Sequence, residues 1–173
     1  MRRRSLLLTV CAVPLGLTAC AAPPVQTFPT LAAAVKEVQA IAAAQGAGWR
    51  SSGAFGLAKM LEHAAQSVEF SLRGYPALRS AAFRHTVGSA AFAVFDHRGR
   101  MSHGLDEPIP GAPALAATEV RPAAERLLKA LADFDAHGGA LAPHFAYGEL
   151  DKNQYTRAHL MHLANHWAEV QRT

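Results

Sequence analysis

The sequence predicts an all-α domain, a helical bundle whose second and third core helices are joined by a long crossover. Three observations carry this. Apolar residues recur at three- and four-residue steps in several segments, no stretch shows period-two alternation, and glycine and proline cluster between the periodic segments rather than inside them.

The first nineteen residues are set apart as a signal peptide. Arg2, Arg3 and Arg4 make a basic start, and Leu6 to Leu17 form a nearly unbroken apolar run. That run is shorter than the roughly 20 residues a spanning helix needs and has the length of a signal core. It ends in Leu17-Thr18-Ala19-Cys20, which resembles a lipobox, so cleavage before Cys20 would leave an acylated N-terminal cysteine held in a bilayer. An ordinary cut near Ala19 or Ala22 is the alternative. Arg3-Arg4-Ser5-Leu6-Leu7 also resembles a twin-arginine signal, so the Sec and twin-arginine routes both stay open. Residues 20–29, with Pro23, Pro24 and Pro29, read as the lipidated cysteine and a tether. The expected location is the periplasm on an outer-membrane anchor, because Ala21 lacks the aspartate associated with inner-membrane retention.

Residues 30–173 form the predicted domain. Leu31, Val35, Val38 and Ala42 start a helix that Thr30 can cap and that Gly46 and Gly48 end. A second helix runs from about Ser52 to Leu72, with Leu57, Leu61, Ala64, Val68 and Leu72 as its stripe and Gly74 as its stop. Residues 78–95 are helical by pattern, with Gly88 as a weak point. The glycines and prolines between Asp96 and Ala117 predict a long crossover, and loops of that length are usually functional. The third core helix spans about Thr118 to Ala136, where Pro122 lies near enough to the start to be tolerated. A loop from Ala140 to Leu150 leads to the last helix, from Asp151 to about Val170, with Asp151 as N-cap.

Composition narrows the function. The chain of 173 residues has 17 basic and 13 acidic residues, and removing the three signal arginines leaves a net charge of about +1. No basic cluster remains to bind nucleic acid. The two cysteines are Cys11, inside the signal, and Cys20, so the domain folds without a disulfide.

Nine histidines is a high count, and four of them, His144, His159, His162 and His166, lie in or just before the last helix. His162 and His166 are one turn apart and can grip one ion. A metalloprotease would place a glutamate where Leu163 stands, which excludes that mechanism. Tyr155, His159, His162, Leu163, His166 and Val170 share about 100 degrees of arc and should face the interior, with Arg157, Met161, Ala164 and Ala168 opposite. Burying three imidazoles costs free energy unless their nitrogens find partners, which a metal supplies. His63 is the only histidine in the second helix, but the wheel places it about 140 degrees from that helix's stripe. His85, His97, His103 and His137 read as solvated or locally bonded residues without a role.

The segments LEHAAQSVEFSLRGYP, MSHGLDEPIPGAP, LAPHFAYGELDK and AHLMHLANHW, in this order over about residues 30 to 170, resemble the DinB-like superfamily. They resemble most its branch called domain of unknown function 1569. The resemblance implies a four-helix bundle of DinB-like type with an extra helix, holding a divalent metal, Zn or Ni, on His63, His162 and His166. Relatives in the wider superfamily include thiol-dependent S-transferases and a maleylpyruvate isomerase that uses low-molecular-weight thiols. The branch itself implies no reaction.

The leading expectation is a metal-dependent hydrolase or thiol or group transferase acting on a small molecule, with His63, His162 and His166 as ligands. His159, His144, Tyr147 and Gln66 are candidates to orient a ligand, move a proton or touch substrate, and Asp106 and Glu107 are candidate bases. The alternatives are a non-catalytic metal-binding envelope lipoprotein with His159 or His144 as fourth ligand, and a metal-free bundle. Pairing into a homodimer is also expected, as in related bundles.

Overall fold

The computed structural model describes residues 27–173; the signal segment, Cys20 and the tether before Thr27 lie outside the described residues. The described chain is mostly helical, in the order α1 (Leu31–Ala43), β1 (Trp49–Ser51), α2 (Gly56–Arg73), α3 (Ala81–Phe83), a π-helical turn (Arg84–Gly88), α4 (Ser89–Arg98), α5 (Val120–Ala136), α6 (Lys152–Trp167) and β2 (Val170–Arg172). No described helix is long and apolar enough to cross a membrane.

Local chemistry explains the helix ends. Thr30 Oγ1 accepts the Ala33 amide at 3.1 Å and starts α1 as expected. Asp151 opens α6 with a reciprocal cap: its carboxylate accepts the Gln154 amide, and the Gln154 side chain accepts the Asp151 amide. Gly74, at φ 100°, closes α2 in a conformation that side chains rarely adopt.

α1, α2, α5 and α6 pack on one core, to which α4 adds Phe92. α2 lies along α5, α1 lies against α5, and α6 closes on both α1 and α2. Ile41, Leu61, Leu127, Phe134, Tyr155 and Trp167 are sealed inside, and burying a side chain of that size is worth about 1.5–3 kcal/mol. α2 is buried continuously from Met60 to Val68, so it lacks a single wet face. This resolves the position of His63: it lies off the apolar stripe, yet that side of the helix is interior too.

Several expectations need correction. The chain contains a short antiparallel ladder pairing Trp49 with Arg172, Arg50 with Gln171 and Ser51 with Val170. It shortens both helices beside it: α2 begins at Gly56 instead of near Ser52, and α6 ends at Trp167 instead of reaching Val170. The helical pattern over 78–95 is present but interrupted by the π-helical turn at Gly88. The side of α6 opposite the histidines is not open, since Met161 and Ala164 are buried. Phe28, at the end of the expected tether, covers that region and packs edge-on against Trp167 with ring centroids 5.4 Å apart. Arg157, on the same side, pairs with Asp96 and ties α6 to α4.

Candidate metal centre

The i, i+4 spacing on α6 and the central position of α2 bring His63, His162 and His166 together. Their ring centroids are 4.9–5.0 Å apart, and one nitrogen from each ring lies within 4.8 Å of the others. His63 Nε2 and His162 Nε2 approach to 3.2 Å. Donor atoms at zinc–nitrogen bond lengths of about 2.0–2.1 Å in a tetrahedral set stand about 3.3 Å apart, so the spacing suits one ion. His166 is fully buried, His63 is 2 % exposed, and Phe55 at the head of α2 covers both rings.

The polar accounting points the same way. Both nitrogens of His166, Nδ1 of His63 and Nε2 of His103 are buried without a hydrogen-bond partner. Each such group costs about 1–3 kcal/mol, a large sum against a domain stability of about 5–15 kcal/mol. One ion would satisfy one nitrogen on each ring it touches. Burial, reinforced by neighbouring histidines, lowers the pKa of His63 to about 4 and of His166 to about 3, and holds His162 well below its ordinary value. The rings are therefore neutral and carry lone pairs at neutral pH, the state a metal requires.

Two of the trio, His63 and His162, line a cavity with about 740 Å³ of unfilled space, part of it open to solvent, beneath the crossover of residues 99–119, while His166 lies behind them. His63 and His162 lie at one end. His144, Phe145 and Tyr147 come from the loop before α6, and Met101, His103, Glu107 and Ile109 come from the crossover.

The remaining expected site residues divide. His144 lines the cavity, and its Nδ1 accepts the Ala146 and Tyr147 amides at 3.2 Å each, so the neutral ring carries its proton on Nε2. Burial and the nearby His159 push its pKa down to about 3. The Tyr147 ring stacks on it at 4.2 Å, and burial raises the Tyr147 hydroxyl to about 12. His159 touches the cavity wall but bonds inward. Ser71 donates to the Val68 carbonyl, so its oxygen accepts His159 Nε2–H at 3.1 Å, while Tyr155 and Phe134 pack on the ring. Gln66 does not face the trio: its amide donates to the Pro113 carbonyl at 3.1 Å and anchors the crossover. Glu107 reaches the cavity, whereas Asp106 is exposed and does not line it.

Two participants escape the sequence pattern. Glu62 accepts the Ala116 and Ala117 amides at 2.8 and 2.7 Å and also meets Arg126, so it too holds the crossover. His103, expected to have no role, places its ring 5.0 Å from His162 and 5.2 Å from His166. The only signal for either is proximity across more than fifty residues of chain, which no periodicity reports. His85 and His97 are exposed, and the His137 ring meets the nearby Ala140 carbonyl, as expected.

A search of curated proteins and of solved structures returns no match. A family model does match, over residues 25–173, and spans every element described above. The chain belongs to the family described as protein of unknown function (DUF1569).

Proposed function

We propose that this protein is a metal-dependent enzyme, a hydrolase or a thiol or group transferase, built on a bundle of DinB-like type. The observation that carries the proposal is the convergence of three neutral imidazoles, two of which line one end of a cavity roofed by the crossover. A divalent ion, Zn or Ni, held by His63, His162 and His166 would supply Lewis acidity to a small molecule in that cavity. His144 contributes a neutral N–H donor fixed by two backbone amides, suited to polarising a substrate oxygen rather than removing a proton. Tyr147 orders that ring by stacking on it. Met101, Ile109 and Phe145 exclude water from an apolar part of the substrate.

The proposal extends to location. The basic start, apolar run and Leu-Thr-Ala-Cys sequence support export and acylation at Cys20, with the domain held at the periplasmic side of the outer membrane. A second reading, a non-catalytic metal-binding envelope lipoprotein, is favoured by one observation: a fourth imidazole, His103, lies beside the trio.

The test is the metal content of the purified protein, produced without a histidine tag, by plasma mass spectrometry beside His63→Ala and His162→Ala. The expected result is about one equivalent in the wild type and none in either variant. A wild type that stays metal-free after incubation with Zn²⁺ and Ni²⁺ would end both readings.

A further inference from the structure

We propose that His103 is a fourth protein donor to the ion, carried by the crossover rather than by a helix, so that metal binding fastens the crossover over the cavity. The inference rests on the three-histidine reading above and concerns how that site opens and closes.

Three observations lead to it. First, His103 is set up to donate. Its Nδ1 lies 2.7 Å from the Gly104 carbonyl, which can only accept, so the proton sits on Nδ1 and Nε2 keeps its lone pair. That Nε2 is buried and has no partner. Second, the ring is placed like a ligand ring. Its centroid distances of 5.0 and 5.2 Å to His162 and His166 match the 4.9–5.0 Å within the trio. Four imidazoles around a tetrahedral ion stand about 5 Å apart, centroid to centroid, at ordinary zinc–nitrogen lengths. His103 does not itself join the three-nitrogen group, so the loop must move inward for it to complete the set.

Third, the crossover's hydrogen bonds to α2 all lie at one end, and around His103 it is held only by the buried side chains of Met101 and Ile109. Gln66 and Glu62, on either side of His63 on α2, hold it at Pro113, Ala116 and Ala117. Upstream, residues 102, 104, 106 and 107 are exposed, while the His103 ring among them lies beside the histidine cluster with its Nε2 buried. Three helix-borne donors make a rigid base, and a loop-borne donor is the one that can leave. Its departure would free a coordination position on the side where Glu107 and Ile109 line the cavity. A closed four-histidine resting site and an open three-histidine working site are then two positions of one loop.

The test compares wild type, His103→Ala, His103→Gln and the exposed control His97→Ala, all as the full chain. Zn²⁺ affinity is measured against a chromophoric chelator, and the Co²⁺-loaded visible spectrum is recorded with and without azide. The expected result is that both His103 variants bind Zn²⁺ at least about tenfold more weakly, the scale on which even groups beyond the ligands act. Their Co²⁺ spectra respond to azide while those of the wild type and His97→Ala do not. Hydrogen exchange across residues 101–109 slows on adding Zn²⁺ to the wild type only. The apo variants melt with the wild type, which separates a lost donor from a lost fold. Equal affinities and azide-insensitive spectra in all four proteins overturn the role of His103 while leaving the trio standing. Failure of the wild type to bind Zn²⁺ or Co²⁺ overturns the trio and this inference together.

Discussion

The last helix carries buried histidines in chemically different situations about two turns apart, and substitutions should separate them. His166 is sealed, with neither nitrogen bonded, beside three other imidazoles. His159 is sealed too, but Ser71 satisfies it and Phe134 and Tyr155 enclose it. His166→Ala should therefore abolish metal binding, whereas His159→Ala should keep about one equivalent and lose about 2–4 kcal/mol of stability through the vacated volume and the stranded serine. Metal analysis and urea unfolding of both variants check this; metal lost from His159→Ala with the fold intact would contradict the assignment. The His162–His166 pair was legible in the sequence because both residues ride on one helix, where spacing fixes geometry. His63 needed family resemblance, since its helix is buried all round and no wheel favours it. The neighbours of Gln66 and His103 were not legible, because they depend on where a Gly/Pro-rich loop travels.

Helices were the readable level of this fold: Thr30, Asp151 and Gly74 act at the ends where capping chemistry places them. The β1–β2 ladder was not readable, because three-residue strands are too short to show alternation and the pairing joins segments about 120 residues apart in sequence. The π-helical turn was only half readable. Gly88 marks it, but the reason is tertiary: a Cβ there would fall onto the Ala146 carbonyl oxygen, in the loop that holds His144 and Tyr147. Gly88→Ala must push that loop away from the helix. The expected cost is about 1–3 kcal/mol, with a weaker His144–Tyr147 stack and unchanged Zn²⁺ stoichiometry, since no metal ligand sits on the loop. Thermal unfolding, tyrosine fluorescence and metal analysis of the variant test the three parts. A second element-level test concerns the crossover. Glu62→Gln keeps the side chain's shape but gives up half of its acceptor character toward the Ala116 and Ala117 amides and its charge toward Arg126. It should speed hydrogen exchange in residues 113–119 ahead of any change in α2, and protection equal to wild type there would show that the carboxylate does not hold the loop.

For the whole molecule, the buried imidazoles make stability depend on pH with a definite sign. The folded pKa values of His63, His144, His159 and His166 are depressed to about 4, 3, 3 and 3, and that of His162 is lowered as well. Burial is the first cause in each, followed by neighbouring cations or histidines. Unfolded histidine titrates near 6.5. Above that value neither state binds the proton, and these rings give stability no pH dependence. As pH falls below about 6.5 the unfolded chain takes up protons that the folded chain refuses, so stability drops until the folded values near 3–4 are reached. Each fully coupled ring removes about 1.4 kcal/mol per pH unit, and one or two of them suffice to threaten a domain worth about 5–15 kcal/mol. The metal-free protein should therefore show a urea midpoint that is flat from pH 8 to 7 and falls steeply between pH 6 and 4. Zn²⁺ at a hundredfold excess over its dissociation constant should add about 2.7 kcal/mol at pH 7.5. That increment should vanish by about pH 5, because unfolding and ligand protonation draw on the same nitrogens. In His63→Ala the increment should be absent at every pH, while the acid-side slope persists through His144 and His159, which do not touch the ion. A slope and an increment that disappear together in His63→Ala would mean that the cluster alone sets the acid response, and a midpoint flat down to pH 5 would mean that these rings are not held neutral by the fold.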